Sequence, residues 1–194
     1  AWAWNNKGVT YQNLEDHKAA LECFEKALDL DEDNLTIMNY KGVELATLER
    51  FDDAKKCFRD IISIDKFNAA AWGNLAGIYV QGKKNLTKAL ECSSICLVAD
   101  PDNANALVVR CMGLFQLKKY GEALECAEQL ISIKKDDPDM LLIKAELLGL
   151  LNSKDEALEC YDELLSWDVL KGDKLVIALL KKSKLLFENN DIEK

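Results

Sequence analysis

Five of the seven cysteines in this chain, Cys23, Cys57, Cys92, Cys126 and Cys160, stand 34, 35, 34 and 34 residues apart. The text around them recurs as Ala20-Leu21-Glu22-Cys23, Ala89-Leu90-Glu91-Cys92, Ala123-Leu124-Glu125-Cys126 and Ala157-Leu158-Glu159-Cys160, with Ala54 and Cys57 keeping the frame in the second copy. A fixed period of this length marks one supersecondary unit used repeatedly, and that excludes most single-core folds. The units fall at 1–34, 35–68, 69–103, 104–137 and 138–171. Each opens with an apolar anchor (Trp4, Met38, Trp72, Leu107, Leu141), then a small residue four later (Gly8, Gly42, Ala76, Cys111, Ala145) and Tyr or Leu three beyond that. Spacing of i, i+4, i+7 predicts one helix face. A second amphipathic stretch starts from Ala20, Ala54, Ala89, Ala123 and Ala157, with a further residue of the set four positions on: Phe24, Phe58, Ser93, Ala127 and Tyr161. Polar turns such as Asp31-Glu32-Asp33-Asn34 and Asp100-Pro101-Asp102-Asn103 separate the units.

Small residues at the eighth and twentieth positions let two antiparallel helices approach toward the low end of the usual ~8–10 Å spacing. Large residues at the fourth, eleventh and twenty-fourth fill the space that remains. One helix pair cannot bury its apolar faces alone, so stacking of pairs makes the core continuous. The set Trp4, Gly8, Tyr11, Ala20, Phe24, Ala27 resembles the tetratricopeptide repeat, a 34-residue helix-turn-helix unit, and the resemblance covers residues 1–171. It implies an all-α, right-handed α-solenoid of five repeats forming one continuous domain. The third unit carries an extra residue around Gly82-Lys83-Lys84. Ser93 and Ala127 stand where the family has a large aromatic, which predicts looser packing there. After Trp167 the phase slips by about four residues, and Leu179, Lys182, Ser183 and Leu186 resume a first-helix pattern. Residues 172–194 are therefore expected to be a capping helix, a truncated sixth unit, with Lys181, Lys182 and Lys184 giving it a polar outer face.

Composition narrows the function classes. Acidic residues number 34 against 25 basic ones, a net charge of −9 that disfavours general nucleic-acid binding, which requires a dense cationic face. No apolar run approaches the roughly 18–20 residues of a membrane span, and no cofactor or metal motif appears. Absence of an initiator methionine and of a signal peptide suggests an excised piece of a longer cytoplasmic protein. The charge is uneven, −5 in the first and fifth units, 0 in the middle three and +1 in residues 172–194.

The candidate chemical sites reduce to structural ones. Successive repeat cysteines should lie about one repeat apart, too far for disulfides or for four converging zinc ligands. Buried free thiols acting as small hydrophobes, in a reducing compartment, are the expectation. Asp29, Asp31 and Asp33 imitate the start of a calcium loop, but Asn34 and Tyr40 stand where glycine and glutamate are required. His17, the single histidine, sits between Asp16 and Lys18 and is expected to be solvated.

The resemblance implies that partners bind a concave groove lined by positions 2, 5, 6, 9, 12 and 13 of each first helix. In this chain those positions are almost uncharged, Asp139 and Glu146 being the exceptions. Family members that clamp a C-terminal carboxylate carry lysine and arginine where this sequence has Asn5, Tyr40, Ala70 and Asn74, so that activity is not expected. Instead Asn5, Asn6, Asn39, Asn74 and Asn105 offer side-chain amides, which both donate to and accept from a peptide backbone. Tyr40 joins them, and farther along Val108, Val109, Met112, Phe115, Leu142 and Ile143 make an apolar stretch. The expected function is a protein–protein interaction scaffold or adaptor, not an enzyme, binding an extended, largely uncharged segment. Alternatives are a substrate-recruiting arm of a larger enzyme and a module that self-associates through its C-terminal units. In the last case residues 172–190 or a second copy would fill the apolar groove.

Overall fold

The computed structural model describes residues 1–81, 85–135, 137–167 and 172–190, with side chains to residue 187 in the last stretch. The described residues form eleven helices and no strand. In order these are α1 (Trp2–Asn13), α2 (His17–Leu28), α3 (Leu35–Thr47), α4 (Phe51–Ile64), α5 (Ala69–Gln81), α6 (Leu86–Ala99), α7 (Ala104–Gln116), α8 (Tyr120–Ile133), α9 (Pro138–Leu150), α10 (Lys154–Ser166) and α11 (Asp173–Asn190). The expected extra residue near Gly82-Lys83-Lys84 lies outside the described residues, as does the slip of phase over 168–171.

Local sequence explains where the helices start and stop. Three turns between helix pairs share one device, an asparagine whose Oδ1 accepts the backbone N–H three residues on: Asn34 from Ile37, Asn68 from Ala71, and Asn103 from Ala106. That is the N-cap bond, which satisfies one of the donors a helix start leaves open. The same amides donate through Nδ2 to Asp31, Asp65 and Asp100, three residues earlier, so each cap is itself held in place. Inside the pairs, Glu15, Glu49, Lys118 and Asn152 adopt φ between 58° and 66°, a left-handed conformation at one repeat position. The residue after each donates back to the carbonyl of Tyr11, Leu45, Leu114 or Leu148, a bond that ends the first helix and turns the chain at once into the second.

The chain packs as two compact units, Ala1–Val109 and Arg110–Lys194, the division falling within α7. In the first unit α1 packs on α2, α3 on α4 and α5 on α6, while α2 packs on α3 and α4 on α5. In the second unit α8 packs on α9, α9 on α10 and α10 on α11. The core of both follows the repeat position by position. Ala20, Ala54, Ala89, Ala123 and Ala157 are completely buried, as are Phe24 and Phe58. Gly8 and Gly42 are small because those rings lie on them: a methyl group at either would stand 2.6 Å from the phenylalanine Cε1. Ser93 and Ala127, where looser packing was expected, are also completely buried. In the third pair Cys96 lies close against α5, its Sγ 3.4 Å from where a Cβ on Gly73 would stand.

Helix α11 overturns one expectation. It packs on α10 and along the edge of α9, as α5 packs on α4 and α3, so it takes the place of a further first helix and does not lie across the groove. Of the three lysines expected on its outer face, only Lys184 is exposed. Lys181 and Lys182 turn inward to Glu146 and Asp162, leaving Val176, Leu179, Leu180, Leu186 and Phe187 exposed. The physical reason is that the acid concentrated on α9 and α10 draws the lysines toward the unit.

Candidate functional site

In the first unit, residues of three successive first helices enclose a concavity of about 320 Å³. Its walls are Val43, Ala46 and Thr47 from α3, Asn74, Gly77 and Gln81 from α5, and Asn105, Val108 and Val109 from α7, with Ile78 and the edge of Phe58 behind them. None of these side chains is charged. Gly77 has open space where a Cβ would stand, which widens the cavity at its centre. On the same side of α3 and α5, Asn74 Nδ2 donates to Asn39 Oδ1 at 2.9 Å. That bond orients both amides and leaves Asn39 with donor capacity and Asn74 with acceptor capacity for a further partner.

The second unit carries two cavities. One, of about 180 Å³, is walled by Cys111, Met112, Phe115, Gln116, Ile143 and Glu146. Phe115 is fixed there by an edge-on contact with Tyr120, ring centroids 5.8 Å apart, while Met112 is 44% exposed. The other, of about 310 Å³, lies between α9 and α11 and is lined by Glu146, Gly149, Leu150, Lys181 and Lys184. Asp139 and Glu146, the two charged groove positions, are paired with Lys174 and Lys181. A half-exposed pair of this kind contributes little to stability but cancels the local field.

The remaining expected site residues divide. Asn6 and Asn105 are exposed, and Val108 is half-buried within the concavity. Asn5 turns its Oδ1 into the protein, where it has no hydrogen-bond partner; it does not offer that oxygen to a ligand. Tyr40 lies flat on Phe24, centroids 5.3 Å apart and planes at 18°, so its ring serves the core. Val109 is 9% exposed and packs in the core with Leu75, Ile78 and Val80; only its edge reaches the cavity. Leu142 packs against the core of the second unit, around Leu141 and Ala145.

His17 is not the solvated imidazole that its neighbours suggest. Its Nδ1 donates to Glu44 Oε2 at 2.8 Å, and Gln12 Nε2 donates to Glu44 Oε1 at 2.7 Å. Glu44 is 1% exposed, so each carboxyl oxygen has a donor in place of water. The signal in the sequence was its spacing, seven residues from the buried Ile37 on one helix face. The cysteines behave as expected of buried thiols: all seven are free and buried. Cys57 and Cys96 donate to the carbonyls of Met38 and Ala69, both at 3.1 Å. Burial pushes the thiols of Cys57, Cys92, Cys96 and Cys111 up to about 11.

The family model of the tetratricopeptide repeat matches residues 1–34, the first helix pair. The pilF protein of Pseudomonas aeruginosa superposes with a TM-score of 0.82 over 97% of this chain and 85% of its own, at 20% identity. Residues 1–34 are a tetratricopeptide repeat, and the chain has the fold of tetratricopeptide repeat proteins. MamA is similar over 88% of this chain and 96% of its own, with a TM-score of 0.72 and 16% identity. A thermophilic tetratricopeptide repeat protein of Thermus thermophilus, TTC0263, is similar over 96% and 98%, with a TM-score of 0.69 and 19% identity. No curated protein sequence matches the chain. At these identities the likeness carries the tetratricopeptide solenoid fold alone. Among the described residues no helix is long and apolar enough to cross a membrane.

Proposed function

We propose that the chain is an adaptor, without catalysis of its own, that holds an extended and largely uncharged segment of a protein partner. The observation that carries this reading is the concavity of the first unit, built from three successive first helices without a charged side chain, in a chain that is 30% charged. A charged ligand entering it would lose hydration without gaining a counter-charge. A backbone would find the Asn39–Asn74 amide pair and Asn105, and small apolar side chains would find Val43 and Val108. On the second unit, Met112, Phe115 and Ile143 offer further apolar contact. The free thiols fit a reducing, cytoplasmic setting.

The test is selection from a displayed library of random peptides of about twelve residues, long enough when extended to span several first helices. Uncharged peptides should be recovered. The Asn39→Ala/Asn74→Ala variant should bind them at least about tenfold more weakly, the loss of one or two hydrogen bonds. Val108→Asp should do the same, and it is a better probe than Val109→Asp, which would place a charge in the core. Recovery of peptides dominated by lysine or glutamate, or undiminished binding by both variants, would refute the reading.

A further inference from the structure

Four glycines stand within the described helices of the first unit, and one of them differs from the rest. Gly8 and Gly42 make room for the rings of Phe24 and Phe58, and Gly73 is bordered by Cys96 and Asn103. Gly77, in the middle of α5, meets nothing within 4 Å of its missing Cβ. Alanine is the better residue for a helix interior, and no core neighbour forbids it here. The two preceding units place Val9 and Val43 at the same register position. Gly77 therefore removes from the groove a side chain that those units supply, and the space stays open at the centre of the concavity.

The surroundings of that space define the shape and chemistry of what enters it. Phe58, Ile78 and Val109, none more than 9% exposed, reach its lining, so the concavity has a floor of core side chains. Val43 and Ala46 of α3 form one wall and Val108 of α7 another. Its volume of about 320 Å³ is roughly twice the ~150 Å³ of an apolar cavity that admits benzene. Two polar groups of the lining are oriented by bonds within the protein. The Thr47 hydroxyl donates to the Val43 carbonyl at 3.1 Å, and Asn74 Nδ2 donates to Asn39 Oδ1 at 2.9 Å. Both thereby turn oxygen lone pairs to a ligand, which calls for a donor on the ligand's side. A charged donor would lose its hydration against neutral walls, so the donor is a neutral one on an otherwise apolar body. Tyrosine and tryptophan side chains answer that description.

We propose that the concavity is an anchor pocket for one tyrosine or tryptophan side chain of the bound segment, with Gly77 the residue that admits it. The proposal deepens the reading of this groove as a peptide site and rests on it. The ring lies over Gly77 between Val43 and Val108, and its O–H or N–H donates to Asn74 Oδ1 or Thr47 Oγ1. The segment's small side chains flank it. A ring seated in a desolvated pocket is the kind of contact that carries a large share of binding energy.

Among uncharged binders recovered by the whole chain from the twelve-residue library, tyrosine or tryptophan should recur at one position. The tightest of these peptides is the probe, its affinity read by fluorescence anisotropy. Alanine in place of its aromatic residue should weaken binding about 10–100-fold, and phenylalanine about threefold to tenfold through the lost donor. Gly77→Leu should weaken the parent peptide as much as the alanine exchange does, yet change the alanine-substituted peptide by no more than about twofold, the coupling expected of a direct contact. Gly77→Ala, which serves if Gly77→Leu fails to fold, should raise the urea midpoint while lowering affinity, a combination that damage to the fold does not produce. Uncharged binders without a recurrent aromatic residue, or parent affinity unchanged in the Gly77 variants, would overturn the anchor and leave the groove reading standing. Phenylalanine bound as tightly as tyrosine or tryptophan would overturn the assigned donor. Binders dominated by charged residues, or none at all, would overturn the anchor and the groove reading together.

Discussion

Gly42 stands in the middle of α3, where alanine would ordinarily be the better helix former by about 0.8–1.0 kcal/mol. The structure reverses that preference. An alanine methyl at Gly42 would lie 2.6 Å from Phe58 Cε1 and 2.7 Å from Cζ. Phe58 has no exposed surface, so its ring cannot swing aside without pushing on Ile61 and the rest of the core. Overpacking of this kind costs about 1–3 kcal/mol, which exceeds the gain in helix propensity and leaves Gly42→Ala about 1 kcal/mol less stable than wild type. Gly77, in the middle of α5, is the control: nothing lies within 4 Å of its missing Cβ. There the propensity term acts alone, and Gly77→Ala should gain up to about 1 kcal/mol. The two variants should therefore differ by about 2 kcal/mol, or roughly 1 M in urea midpoint at an m-value near 2 kcal/mol/M. Urea titrations followed by far-UV circular dichroism measure this directly. Adding Phe58→Leu to Gly42→Ala should cost less than the two single losses together, because the smaller side chain relieves the clash. If Gly42→Ala proves as stable as Gly77→Ala, the account of helix contact through glycine and phenylalanine is wrong.

The buried thiols predict a pH dependence. The Cys57, Cys92, Cys96 and Cys111 thiols ionise near 9.0 in the unfolded chain and near 11 in the fold. Their contribution to stability is complete below pH 9 and is lost as pH rises toward 11, so urea midpoints should be steady at pH 7–8.5 and fall beyond it. At pH 8 the native chain should react slowly with a thiol reagent such as Ellman's, and the urea-unfolded chain should titrate seven thiols rapidly. His17→Leu removes one donor from the buried Glu44 carboxyl and should cost about 2 kcal/mol in urea unfolding. The double variant with Glu44→Leu should recover part of that loss, since no carboxyl then remains to be satisfied.

Much of the molecule was legible because the repeat writes one structural instruction five times. Position 20 is alanine in every unit and completely buried in every unit, which follows from the closeness of two helices and needs no knowledge of distant contacts. The groove positions were legible for the same reason: Val43, Thr47, Asn74, Gln81, Asn105 and Val108 all face the concavity. Where the reading failed, a side chain had two neighbours to choose between. Tyr40 turned onto Phe24, and Asn5 turned its Oδ1 inward. His17 found Glu44, 27 residues away, in place of water.

By itself the sequence determined the helix pairs, their capping asparagines, the small residues at helix contacts and the neutrality of the groove. All of these depend on interactions within one period or between identical neighbours. Tertiary structure alone decided which face each half-apolar side chain presents. Val109 became core because Leu75, Ile78 and Val80 stand beside it. Lys181 and Lys182 of α11 folded inward because Glu146 and Asp162 are within reach, which left Leu179, Leu180 and Phe187 exposed. Periodicity sets the face that a helix can bury; the partner packed against it sets how much of that face is covered.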